Sequence, residues 1–237
     1  LSQHKRSRTH SGHARVRLTQ AERRQQTRQA LLEAARKRMD AGESFDSISL
    51  RSVARAAGVV PAAFYRHFAS MDELGLVLVD ESFLSLRAML RRAREDGLPP
   101  QHIVRRSVEI LVEHVLAHRQ HFAFVAGARS SGNGVLRYAI RNEIKLFTSE
   151  LATDLARFPI LREWTTEDLQ MLAGLLVNSM IMVIEAIIEL PTSGPAGDPQ
   201  PEALQEVVRL AEKQLRLPLL GVPAWRSMNV SAVGSQS

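Results

Sequence analysis

The chain has 237 residues, of which 45% are hydrophobic and only 5% aromatic. That is enough apolar material for one large domain or two small ones, and too much for a disordered chain. There is no cysteine, which excludes disulfides, thiolate chemistry and cysteine-ligated zinc and fits a reducing cytoplasm. The net charge of +6 is unevenly placed: residues 1–66 carry 14 Lys and Arg against 5 Asp and Glu, whereas the remainder carries 17 against 20. A polyanion partner for the first quarter is therefore expected, with a solvated basic tail as the plainer alternative.

Residues 1–17 have no hydrophobic periodicity and read as a flexible basic arm, with no apolar run of a secretory signal behind it. Thr19 followed by Glu22 is a capping-box pattern that opens a first helix. Leu31, Leu32, Ala35 and Met39 form its apolar stripe, and Gly42 stops it. Phe45 and Ile48 lie in a short connection. Ser49 is the N-cap candidate of a second helix carrying Leu50, Val53, Ala54 and Ala57 and ending at Gly58. A third helix begins at about Pro61, a residue suited to a first turn, and carries Phe64 and Phe68 four apart.

Ser70 with Glu73 is a second capping box, opening a longer helix with Leu74, Leu78, Leu86 and Leu90 that runs to Arg94. Gly97, Pro99 and Pro100 break it. Further helices are predicted over 101–118, 119–129, 134–157, 166–190 and 199–217, the last started by Asp198 and Pro199. Residues 218–237 read as a frayed tail. No alternating strand pattern is present, so the fold class is all-α.

The stretch from Ser49 to Phe68 places two short helices around a turn at Gly58. Ala54 and Ala57 are small where the helices must cross, and Val53, Val59 and Phe64 can fill the wedge between them. The second of the two helices starts with small apolar residues, Val60, Pro61, Ala62 and Ala63, followed by Tyr65, Arg66 and His67. Small side chains let a backbone approach base edges and thymine methyls in a major groove. The Tyr and the cationic residues can reach phosphates on either side, and Ser49 and Arg51 can clamp the backbone. An ordinary helical hairpin accounts for Val53, Phe64 and Phe68 but not for a Tyr-Arg-His cluster in a segment of +9 balance.

The run AxxAGVxxxxFYRHFxSxxEL, from Ala54 to Leu74, resembles the TetR family of bacterial repressors over about residues 20–75. FYRHF, DELGL and VDES (Val79–Ser82) are similar, more narrowly, to its fatty-acid-biosynthesis repressor and desaturase-regulator subgroup. The resemblance implies a helix-turn-helix DNA-binding domain over 18–70 and a helical ligand-sensing and dimerisation domain over 71–217. It further implies a homodimer on a double-stranded palindromic operator, and no enzymatic cofactor. The regulatory ligand it implies is a long-chain acyl-CoA. Many relatives carry a Lys near Met71 that contacts phosphate; Met71 cannot do so ionically, and the arm before Arg17 is a candidate substitute.

An acyl chain would need a tunnel among the helices 101–129, 134–157 and 166–190. Candidate lining residues are Phe122, Phe124, Val125, Phe147, Leu151, Leu175, Met182 and Val183, each also readable as plain core. Arg129, Arg137 and Arg141 flank the SSGNG loop and are candidates for coenzyme A phosphates, or else a solvated face. The helix over 166–190 is apolar on nearly every side; Asn178, Ser179, Glu185 and Glu189 disfavour a membrane span, leaving a core helix, a dimer-interface helix, or both. His114, His118 and His121 share one helix face, but no further ligand makes a metal site compelling. No nucleophile elbow or nucleotide-binding loop is present. Two readings stay open beside the acyl-CoA regulator: the same fold sensing another apolar molecule, and an acyl-CoA-handling enzyme or carrier.

Overall fold

A computed structural model describes residues 19–95, 103–193 and 198–227; the expected basic arm (1–17) and the last ten residues lie outside the described residues. Nine α-helices appear among the described residues: α1 (Gln20–Asp40), α2 (Leu50–Ala56), α3 (Pro61–Phe64), α4 (Met71–Glu95), α5 (Ile103–Ala117), α6 (Arg119–Ser130), α7 (Gly134–Leu155), α8 (Thr166–Glu189) and α9 (Pro201–Gly221). Short 3-10 turns occur at Phe45–Ser47, Pro159–Leu161 and Val222–Ala224.

Local chemistry accounts for the helix ends. The Thr19 hydroxyl accepts from the Glu22 amide and the Glu22 carboxylate accepts from the Thr19 amide, so two orphan donors of α1 are satisfied reciprocally. Asn133 and Thr165 cap α7 and α8 in the simpler one-way manner. At α4 the reciprocal half shifts by one residue. Ser70 Oγ accepts from the Glu73 amide as expected, but Glu73 Oε2 accepts from the amide of Ala69 rather than of Ser70.

Three apolar clusters hold the molecule together. The first joins Leu31, Leu32 and Ala35 of α1, Val53, Phe64 and Phe68 of the helix pair, and Leu74, Leu78 and Phe83 of α4 to Phe124 of α6 and Leu136 and Ile140 of α7. The N-terminal helices and the larger helical body therefore share a core, and α4 is the element common to both. Gly75 sits at this seam: a Cβ there would meet Leu136 and Phe45 side-chain carbons at 2.9 Å. The second cluster fills the body between α4, α5, α7, α8 and α9, with Leu111, Phe147, Val177 and Ile187 at its centre. The third joins the end of α7 and the start of α8 to Val222. Arg87 of α4 ties to Glu143 and Glu150 of α7 at 2.8 and 3.0 Å.

Two expectations need correction. Asp198 and Pro199 do not start the last helix. They pair antiparallel with Ser193 and Thr192 in a two-residue ladder, and α9 begins at Pro201. Gln200 precedes a proline, which disfavours helical backbone, and it is extended at φ −61°, ψ 130°. Nor is the chain after residue 217 wholly a frayed tail. The helix continues through Pro218 to Gly221, Val222 is buried, and Trp225 stands 6.4 Å from Trp164. Ser227 Oγ donates to Asp168 and accepts from the Thr165 amide, fastening the end of the described chain to the N-terminus of α8.

Candidate nucleic-acid interface and sensor cavity

The turn between α2 and α3 follows from Gly58. Its φ is +72°, a conformation in which a Cβ would crowd the backbone. The Val59 amide returns to the Ala54 carbonyl at 2.9 Å and the Gly58 amide to the Arg55 carbonyl at 3.1 Å, the paired closure of a Schellman motif. Val53, Ala54 and Phe64 are wholly buried at the crossing. Phe64 and Phe68, with ring centroids 5.6 Å apart, anchor the far end. α3 proper is one turn long. The Arg66, His67 and Phe68 amides carry its hydrogen bonding on to the carbonyls of Ala63 and Phe64, so the predicted rod from Pro61 to Phe68 is one helical turn extended by tight turns.

This arrangement puts the candidate DNA-facing residues outside. Val60 is 67% and Tyr65 64% exposed, although both are large apolar groups. Pro61, Ala62 and Arg66 are exposed, while Ala63 and His67 are half-buried. Arg51 is exposed at the start of α2. Ser49 is exposed too, with its Oγ accepting from the Ser52 amide at 3.2 Å. Met71 packs, partly buried, against the first cluster.

Two cations went unnoticed in the sequence. Arg24 of α1 donates to the Arg66 carbonyl at 3.4 Å, and Arg28 lies 4.7 Å over the Phe68 ring. Their i, i+4 spacing was the available signal, since it puts both on one helix face. Burial, then the charges of Arg24, Arg28 and Arg66, hold the His67 imidazole below the usual histidine range.

Within the larger helical body an apolar cavity of about 60 Å³ lies between α4, α5, α6, α7 and α8. Phe122, Val125, Arg129 and Phe147, all candidates from the sequence, line it together with Leu111, Val177, Ile181 and Ile184. Arg129 pairs with Glu185 at 3.3 Å, and both border the cavity. The other candidates fall elsewhere. Leu175 and Met182 are 50% and 56% exposed on the outer face of α8. Val183 is buried in the second cluster but off the cavity, and Leu151 is partly buried where the second and third clusters meet. Phe124 packs edge-on to Phe45 in the first cluster. α8 carries apolar residues on all sides, so periodicity could not choose which face points inward. Arg137 donates to the Ser131 carbonyl at 2.9 Å and Arg141 is exposed; neither borders the cavity.

By length and composition α8 could cross a membrane. In the fold it packs against α5, α6, α7 and α9, and Arg119 caps its C-terminal end by donating to the carbonyls of Ile187 and Ile188. Met171, Leu175 and Met182 of α8 are exposed, as are Leu210, Leu217 and Leu220 of α9. The rings of His114, His118 and His121 follow one another, with neighbouring centroids at 4.6 and 5.8 Å, and Ser85 Oγ lies 3.0 Å from His114 Nε2.

Residues 31–76 match the family described as bacterial regulatory proteins, tetR family. Among solved structures the chain is similar to a TetR-like transcriptional regulator from Rhodococcus sp. RHA1, at 21% identity over 86% of this chain and 100% of that one, with a TM-score of 0.57. It is also similar to the fatty acid degradation regulator FadR from Bacillus halodurans (14% identity, 82% and 95% coverage, TM-score 0.62). GusR of Salmonella enterica is a third (22% identity, 88% and 99% coverage, TM-score 0.60). At these identities the likeness is one of fold. The stretch that matches the tetR-family model contains α2, the Gly58 turn and α3, and the chain shares the fold of these regulators.

Proposed function

We propose that the protein is a ligand-responsive transcriptional repressor that binds a palindromic operator as a homodimer. The observation that carries this reading is the turn from Val60 to His67. Val60, Tyr65 and Arg66 stand in solvent, while Phe64 and Phe68 fix it to the core. Small residues at its start suit close approach to thymine methyls, and Tyr65 and Arg66 are placed for base edges or flanking phosphates. The large apolar residues left exposed on α8 and α9 support the dimer, because exposed apolar patches mark interaction sites and a two-fold dimer uses the same patch on both protomers. Selection from a random duplex pool tests the reading: enrichment of a palindrome with half-sites about one helical turn apart is expected, and absence of any enriched sequence would contradict it.

The finer proposal is that an acyl chain of a long-chain acyl-CoA occupies the space between α4 and α8. Its support is the apolar lining and the likeness of FYRHF, DELGL and VDES to the fatty-acid regulators. Each buried CH₂ contributes about 0.8 kcal/mol, so saturated and cis-unsaturated chains of one length gain nearly the same amount. Shape must separate them. The cavity's small volume means that a long chain has to part the helices, and a kinked chain parts them differently. A coupling of about 1–3 kcal/mol to the recognition turns is enough for regulation. Operator affinity measured with oleoyl- and stearoyl-CoA should differ, and equal affinities would sink the acyl-shape proposal. The same small volume favours a second reading, a compact apolar effector, which a thermal-shift screen of drugs against lipids separates. Turnover of the thioester without operator binding would instead favour an acyl-CoA-handling enzyme or carrier.

A further inference from the structure

We infer that Arg24 and Arg28 of α1 are DNA-phosphate ligands, forming with Arg66 and His67 a single anion site at the far end of the recognition turn. The inference rests on the DNA-binding reading above and adds to it a contact from a helix outside the helix-turn-helix.

Residues four apart share a helix face, and both guanidiniums of this pair contact the short segment that follows α3. Arg24 meets the Arg66 carbonyl at 3.4 Å and Arg28 covers the Phe68 ring at 4.7 Å. Arg66 follows the same turn with an exposed side chain, and the Nδ1 of the neighbouring His67 is buried without a hydrogen-bond partner among the described residues. None of Arg24, Arg28 or Arg66 is ion-paired to a carboxylate among the described residues. The two acids in the first turn of α4 are engaged elsewhere, Asp72 with the Asn133 amide group at 2.7 Å and Glu73 with the Ala69 amide.

Burial first, and then the charges of Arg24, Arg28 and Arg66, make His67 resist protonation, and these like charges repel one another. An anion at this spot relieves that repulsion. The site is open to solvent at Arg24 and Arg66 and adjoins the exposed Tyr65, and phosphates flank a groove on both sides of an inserted element. A phosphodiester of the duplex is therefore the anion the arrangement fits. The competing account makes Arg24 a carbonyl cap and Arg28 a stacking contact, both purely structural.

The salt dependence of binding separates the two. Affinity of the full-length protein for a random-sequence duplex is measured by fluorescence anisotropy across a KCl series for wild type, Arg24→Gln, Arg28→Gln and the two Lys variants. Each Gln substitution should flatten the slope of log K against log salt by about 0.9 per bound protomer, and each Lys substitution should restore it. A structural role lowers affinity without changing the slope. A steep wild-type slope left unaltered in both Gln variants would overturn this inference while leaving DNA binding intact. A wild type with no salt-dependent duplex binding would overturn the DNA reading and this inference together. Arg24 is exposed, so Arg24→Gln decides the matter if Arg28→Gln fails to fold.

Discussion

Phe64 and Tyr65 are neighbours with opposite fates, one wholly buried and the other 64% exposed. Folding alone gives no reason to leave Tyr65 and Val60 in water beside three small residues, and a groove does. Ala62→Glu tests this at a single exposed position. A carboxylate in the first turn of a helix is neutral or slightly stabilising, by roughly 0.3–1 kcal/mol, so the melting temperature should hold. Duplex affinity should fall at least about tenfold, the scale of one unfavourable contact of about 1–3 kcal/mol at a base edge. Unchanged affinity in a gel-shift titration would place Ala62 off the DNA.

Two histidines also set a direction for pH. Burial comes first among the causes that keep His67 and His121 below the usual histidine range. For His67 it is followed by Arg24, Arg28 and Arg66, and for His121 by Arg36 and His118. A group whose folded-state pKa is depressed binds its proton more readily when unfolded. Stability is therefore fully present above about pH 6.5, the unfolded histidine value, and is lost as pH falls below it. Thermal melts between pH 7.5 and 5.5 should show that loss, and the double variant His67→Asn, His121→Asn should reduce it. The duplex binding proposed at His67 runs the opposite way. A phosphate raises its pKa, so binding takes up a proton and strengthens on acidification.

Among the elements, the helix-turn-helix was the most legible from sequence because each of its signals is local. Thr19, Ser49 and Ser70 sit where caps are needed, Gly58 where φ must be positive, and Phe64 and Phe68 four apart on one face. α8 was legible as a helix but not in its rotation, since Leu175, Val177, Ile181 and Met182 carry no polar contrast to mark the inner face. The docked end of the chain was not legible either, because it depends on long-range partners: Ser227 on Asp168 and Trp225 on Trp164. The seam at Gly75 is of the same kind. Nothing in its neighbours predicts that Leu136, sixty-one positions on, approaches within 2.9 Å of where a Cβ would stand. Gly75→Ala should therefore destabilise the protein by about 1–3 kcal/mol through overpacking, measured by denaturant unfolding. An unaffected midpoint would mean that α4 and α7 separate freely.

For the whole molecule, the shared first cluster matters most. α4 carries Leu74 and Leu78 into the core beneath the recognition turn and Leu86 and Met89 into the core beside the cavity. The proposed ligand, by parting α4 from α8, would thus act on an element that shares a core with the proposed DNA-facing unit. Assembly belongs to this scale as well. Leu175→Glu combined with Met182→Glu places charges on the exposed face of α8, not in the core. If the protein dimerises through this face as proposed, sedimentation should show a wild-type dimer and a folded monomeric variant; a dimer that survives both charges would move the interface elsewhere. A dimer neutralising about four phosphates per subunit should bind with a log K against log salt slope of roughly −7.

The most direct measurement is the affinity of the double variant Tyr65→Ala, Arg66→Ala for the palindrome selected by the wild type, at matched salt and with folding checked by circular dichroism. A folded protein that binds at least about a thousandfold more weakly is expected, since two contacts of about 1–3 kcal/mol each are lost from each of two protomers. A folded variant that recognised the palindrome as tightly as the wild type would contradict it.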